Sequence, residues 1–267
     1  MRGVIFAQTL RRNWLQILYW GLGIGMFGAT ILAMLPNMDM IEQYQRLFAS
    51  LPPAVLAAFG MTDISQMATP EGFICFAYFS YMMMVISAYA IIAGLNVTAV
   101  EEDRGILDML LSAPVSRTQL VIEKCLAYML ILSLIIIVSY SGFLVGSLVS
   151  VPLDMGVLFA GSLNMLPGAL TVFGFTVFAG ALLRTRAMAL AVAGGFVVVS
   201  YFIEFIGAAA SNTAAAGLRV ISYYSYYGGG SFATNGFQWG NMTLLVVAGV
   251  VLFFGGMFLF QRRDIGL

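Results

Sequence analysis

From Leu126 to Val151 the chain runs without one charged residue, far longer than the core strand or helix of a small water-soluble domain. A helix needs roughly 20 apolar residues to cross a hydrocarbon core about 30 Å thick. Five more stretches meet that length: Trp14–Leu35, Phe73–Thr98, Val157–Leu183, Ala187–Ala208 and Thr243–Phe260. Only one charged residue, Glu204, falls inside the six. Hydrophobic residues make up 61% of the chain and charged residues 9%, with a mean hydropathy of +0.96. A soluble domain carries roughly 25% charged residues, so the solvent for this surface is lipid. The sequence therefore predicts an all-α integral membrane fold with six transmembrane helices in one transmembrane domain over residues 1–267. The first run is too long for a signal-peptide core and no small-residue cleavage site follows it, so it is expected to stay as a span.

Orientation follows from the basic residues. With the amino terminus inside, the inner segments hold Arg2, Arg11, Arg12, Arg104, Arg117, Lys124, Arg184, Arg186, Arg262 and Arg263, while Arg46 and Arg219 lie outside. Such an excess predicts that both termini are cytoplasmic; a cell (inner) membrane of bacterial type is the expected location. Arg184-Thr185-Arg186 marks a tight turn at an interface, since an arginine at mid-membrane costs about 2.5–3.5 kcal/mol. Cys75 and Cys125 fall on opposite sides of the membrane and cannot form an intrachain disulfide.

The polar segments give four further expectations. Phe6, Leu10 and Trp14 recur at helical spacing, which predicts a short amphipathic helix over residues 1–13, lying along the inner surface. Ser50-Leu51-Pro52-Pro53 opens a short outer helix that Gly60 stops, and Thr69-Pro70-Glu71 caps the second span. Residues 209–242 are too polar and glycine-rich to span, yet hold Tyr223, Tyr224, Tyr226, Tyr227, Phe232, Phe237 and Trp239. Such a loop sits on the outer interface or dips back into it. Between spans two and three, over 99–125, Ile106, Leu107, Leu110 and Leu111 form one apolar stripe, and Arg104 can pair with Asp108. Pro114 ends that helix, and Ser116 with Gln119 reads as the capping box of the next. Physical chemistry alone leaves two readings of this loop: a solvated interfacial helix, or a docking knob for a partner.

The run Glu101-Glu102-Asp103-Arg104-Gly105-Ile106-Leu107-Asp108-Met109-Leu110-Leu111-Ser112-Ala113-Pro114-Val115-Ser116-Arg117, followed by Glu123-Lys124, resembles the loop of type-two ABC transporter permeases. Phe260-Gln261-Arg262-Arg263-Asp264 is similar to that family's closing motif, and Ile221-Ser222-Tyr223-Tyr224 to its outer aromatic patch. The resemblance implies a six-span half-transporter, exporter-like, whose loop helix seats in a separate ATP-hydrolysing subunit. Glu101, Glu102, Arg104, Gly105, Leu107, Leu110, Leu111, Pro114 and Arg117 would make or shape that contact, and the amino-terminal helix would brace the same subunit. ATP and Mg would belong to two copies of that partner. The chain itself has no phosphate-binding loop, its one lysine, Lys124, following Val121-Ile122-Glu123. A second permease chain, identical or paralogous, is implied, with the first, second and fifth spans around the shared interface.

Gly21-x-x-x-Gly25 and Gly142-x-x-x-Gly146 permit close helix contact, which makes Gly21 and Gly25 candidate dimer contacts. Glu204 is either near enough to the outer interface to reach water or faces a substrate pathway, with Phe196, Tyr201 and Phe205 beside it. The implied cargo is a hydrophobic or amphipathic compound such as a drug, antibiotic or lipid. Within the family, ions, polysaccharide or transmitted force are the alternatives. A membrane enzyme is disfavoured by the absence of histidine and of any metal-ligand cluster in the sequence, and a secondary transporter by the scarcity of intramembrane charge. Zero formal net charge gives no pull on nucleic acid.

Overall fold

The structure is a computed structural model that describes residues 3–35, 38–52, 55–56, 69–97, 117–183, 185–210 and 213–262; among these, every regular element is helical. Six helices are long and apolar enough to cross a bilayer: Val4–Ala33, Pro70–Leu95, Thr118–Gly146, Met155–Leu182, Arg186–Ala209 and Trp239–Arg262. They are spans 1 to 6, and each overlaps one segment expected from the sequence.

Local chemistry sets most of their ends. Thr69 accepts from the Gly72 amide at 3.1 Å and Pro70 occupies the first turn of span 2, as its sequence predicts. Asp154 caps span 4 by accepting from Gly156 and Val157, and Thr185 caps span 5 by accepting from Met188. Two irregularities lie inside spans. Cys75–Phe79 forms a single π-helical turn in span 2. Pro167 sits within span 4, where its missing N–H leaves the preceding turn short of one hydrogen bond.

The amino terminus differs from expectation. Val4–Ala33 is one helix of 30 residues, about 45 Å long at 1.5 Å per residue, so no separate helix over 1–13 precedes the span. No glycine or proline between Val4 and Trp14 would break it. Its buried face runs through Asn13, Gly21, Ile24, Gly25, Gly28 and Leu32, whereas Trp14 of the expected stripe is 52% exposed. A second helix, Met38–Ala49, follows span 1. It buries Ile41 and sets Tyr44 and Phe48 against Phe73 and Phe76, while Glu42 and Arg46 pair on the exposed side. Most of the helix expected after Pro52-Pro53 lies outside the described residues.

Span 4 is the central post. Of its most apolar window 72% is buried, against 22% for spans 5 and 6. Span 4 meets span 6 and span 1 meets span 3 through glycine. A methyl group on Gly25 would lie 2.9 Å from the Ser139 carbonyl, and one on Gly142 would collide with the Gly25 backbone. At the other seam, a methyl on Gly256 would lie 2.9 Å from the Phe178 Cα. Gly21 is likewise closed by Val138 at 2.6 Å. The close approach expected of Gly21 and Gly25 between two chains is thus made within one chain, against span 3.

Candidate functional site

The start of span 1 and the end of span 6 lie beside the start of span 3, at the root of the loop between spans 2 and 3. The loop residues Glu101, Glu102, Arg104, Gly105, Leu107, Leu110, Leu111 and Pro114 lie outside the described residues, as does Ser116; Arg117 opens the helix of span 3. What the structure does show is how that root is fastened. Span 1 begins at Gly3, in the left-handed region at φ 87°, and a glycine has no side chain with which to cap its own helix. Glu123 of span 3 does so instead. One carboxylate oxygen accepts from the Gly3 amide at 2.9 Å, and the other from Ile5 and Phe6 at 3.0 and 3.2 Å. Gln119 donates to the first oxygen at 2.8 Å and so steadies the carboxylate. The first amides of a helix lack intrahelical acceptors and carry the positive end of its dipole, which is why an anion suits this place.

Deeper in the same half, Tyr89 of span 2 donates to Gln16 of span 1 at 3.0 Å and packs on Trp20, with ring centroids 5.3 Å apart. Asn13 donates to the Thr9 carbonyl at 2.8 Å. Span 6 joins through Gln261, which donates to Thr118 at 3.0 Å. Spans 1, 3 and 6 therefore meet at the base of the loop.

At the opposite end, residues 213–238 fold back onto the bundle as a chain of short helices, chiefly Ala214–Ile221, Tyr223–Tyr227 and Phe232–Asn235. Ser222 donates to the Ser200 carbonyl at 2.7 Å, and Asn164 donates to the Tyr227 carbonyl at 3.0 Å. Ser200 and Asn164 each lie nine residues inside their spans, about 14 Å by helical rise. Tyr227 donates to the Phe79 carbonyl at the π-helical turn of span 2. Gly228 ends the second short helix at φ 59°, a conformation that favours glycine.

Glu204 belongs to this assembly. Arg219 grips it with two nearly parallel bonds, Nε at 3.1 Å and Nη2 at 2.5 Å, and Ser225 donates to the same carboxylate. Span 5 and the folded-back segment are thereby clasped together. Beside the clasp lies a cavity of about 300 Å³, with Tyr81 of span 2, Tyr201 and Phe205 of span 5, and Tyr224 on its wall. Of the residues that sequence analysis placed here, Glu204, Tyr201 and Phe205 do line the cavity. Phe196 does not: it is stacked between Phe175 and Tyr223, with centroids at 4.2 and 5.5 Å. Arg219, Ser225, Tyr224 and Tyr81 were not picked as pathway residues. Arg219 and Ser225 follow Glu204 by 15 and 21 positions across a loop, so no periodicity announces them. A third feature is an open apolar groove between spans 1 and 2, lined by Tyr19, Trp20, Phe27 and Met82.

The sequence model of one family, described as ABC-2 family transporter protein, matches residues 18–265. No curated protein matches the chain.

Proposed function

Because the chain belongs to the ABC-2 transporter family, as a multi-pass permease subunit that is not catalytic by itself, we propose that it exports a hydrophobic or amphipathic compound on energy supplied elsewhere. Permeases of this family pair with nucleotide-binding ATPase subunits, which typically bind the ATP. In our reading, two such subunits seat the loop 99–125 of this chain and of a second permease, identical or paralogous, with Mg bound beside the nucleotide. The termini and the loop are cytoplasmic, and residues 209–242 re-enter the outer leaflet. Glu101, Glu102, Arg104, Gly105, Leu107, Leu110, Leu111, Pro114 and Arg117 form the contact.

The observation that carries this reading is the fastening at the loop root. A push on the loop reaches span 3 at once. Through Glu123 it is passed to span 1, and through Thr118 to Gln261 of span 6. A solvated loop would not need its root bound to two distant helices. Apolar cargo is favoured by the groove between spans 1 and 2, whose described lining, Tyr19, Trp20 and Phe27 included, holds no charged residue. Glu204 acts here as an anchor for the outer segment, since both its oxygens are already engaged.

The test is Leu110→Glu with Leu111→Glu in the co-purified complex. ATPase turnover should persist or fall modestly while transport of a dye substrate is lost, with the protein still in the membrane. Unchanged transport per ATP would remove the assignment of this loop.

A further inference from the structure

The π-helical turn of span 2 is not written into its own residues. Ile74-Cys75-Phe76-Ala77-Tyr78-Phe79-Ser80 holds no proline or glycine to turn it away from the α-helix. Yet the Ser80 amide reaches five residues back, to the Cys75 carbonyl. Such turns are rare, occur mostly singly inside α-helices, and are frequent at functional places. Packing must hold what the local sequence does not.

That packing comes from two sides. Tyr78 donates to the Ile24 carbonyl of span 1 at 3.4 Å, and its ring meets Phe143 of span 3 with centroids 4.7 Å apart. Phe79, the next residue, turns to span 4, where a methyl on Gly161 would lie 2.7 Å from its ring. Both side chains are fully buried. The Phe79 carbonyl accepts from the Tyr227 hydroxyl of the folded-back segment at 3.0 Å, and Tyr227 is itself held by Asn164 of span 4. Spans 1 and 3, span 4 and the outer segment thus meet on one turn. Rewinding it as α-helix moves the extra residue out and rotates one side of the helix about 100° against the other. Tyr78 and Phe79 cannot then both keep their partners. Beyond the turn lies only Pro70–Ile74, whose tie to span 4, from the Asp154 amide to Glu71 at 2.8 Å, is exposed and exchangeable for water.

We propose that this turn is a switch in span 2 and that Tyr227 is its positioning residue in the transport cycle, which rests on the reading that loop 99–125 receives the push. While the outer segment is docked, the Tyr227 hydroxyl holds the turn wound as π. Movement of spans 1 and 3 against span 4 rewinds the turn, and the Phe79 carbonyl leaves Tyr227. The outer segment is loosened as the inner end is driven.

The test follows amide exchange in the full-length chain with its ATPase subunits in nanodiscs, with and without ATP and orthovanadate. In the parent, trapping with vanadate should raise exchange over 75–80 and over Tyr223–Tyr227 together. In Tyr227→Phe without nucleotide, Tyr223–Tyr227 should already exchange about five- to tenfold faster, the worth of one hydrogen bond. Trapping should then change 75–80 and add nothing at Tyr223–Tyr227. A tyrosine that merely stabilised the fold would leave the paired response intact. Should that variant fail to fold, Asn164→Ala should loosen Tyr223–Tyr227 several-fold, and the parent's response still decides. The proposal is overturned if trapping alters residues 117–123 of span 3 and leaves 75–80 unchanged, a result that spares the loop reading. It is also overturned if the folded variant keeps the paired response of the parent. No response at 117–123 or at 75–80 would remove the loop reading and the switch with it.

Discussion

Replacing Glu123 by glutamine changes one atom and should release the start of span 1. The two carboxylate oxygens each accept two hydrogen bonds: one from Gly3 and Gln119, the other from Ile5 and Phe6. Glutamine must turn its NH2 toward one of these pairs, so whichever way it sits, two donors face a donor. Hydrogen bonds to a charged group are worth about 1.5–3 kcal/mol each when water is excluded. At a helix end water takes over part of the role, and about 1 kcal/mol for each of the two is a fairer figure. Loss of the charge at the helix N-terminus adds about 0.3–1 kcal/mol. The first turn should thus loosen by about 2–3 kcal/mol, a rise of about 30- to 140-fold in its open fraction at 1.4 kcal/mol per tenfold. Amide hydrogen exchange reads this directly. Ile5 and Phe6 are too near the helix start to have intrahelical acceptors, so their protection depends on Glu123. The Ala7 amide, bonded to the Gly3 carbonyl at 3.0 Å, closes the same turn and should follow them. Exchange at Ile5 and Phe6 should accelerate by that factor in E123Q while spans 2 and 4 keep their protection. Equal protection in variant and parent would refute the reasoning.

The remaining predictions concern the seams and the clasp. Gly142→Ala pushes a methyl into the Gly25 backbone and should cost at least the about 1–3 kcal/mol of an overpacked core, seen as a lower thermal midpoint or lost expression. Gly23→Ala meets nothing within 4 Å and should be silent. Arg219→Ala and Glu204→Gln should each lower the midpoint in nanodiscs. In a double-mutant cycle the pair should show a coupling of about 0.5–1 kcal/mol, held down by its partial exposure; additive effects would mean that the clasp contributes nothing.

Six helices could be read from the chain because a bilayer demands length, and length is visible in a run such as Leu126–Val151. Caps were legible where they are local, as at Thr69 and Pro70. The cap on span 1 was not, because Glu123 acts from 118 positions away on Ile5, and nothing near Gly3 records it. The stripe Phe6, Leu10 and Trp14 misled for a related reason. On a helix partly surrounded by lipid the stripe divides: Leu10 packs against the core, while Trp14 is exposed and polar Asn13 is buried. Glu204 stood out as the only acid inside the stretches the sequence marks as spans, but its meaning came from Arg219 and Ser225, on a segment whose path the sequence left open. The glycine pairs were legible as places of close helix approach, but small-residue spacing does not say which two helices meet; within this chain Gly25 lies against Gly142.

A joint with no side chain has no rotamers to exchange. Where Gly25 meets Gly142, and again where Gly174 meets Gly249, main chain lies on main chain, with nothing between them to roll or give. Sliding either pair would drive carbonyl oxygens over neighbouring backbone, so spans 1 and 3 must travel as one plank and spans 4 and 6 as another. Any cycle of opening in this molecule is confined to the softer contacts between the planks and to the sparsely covered span 5.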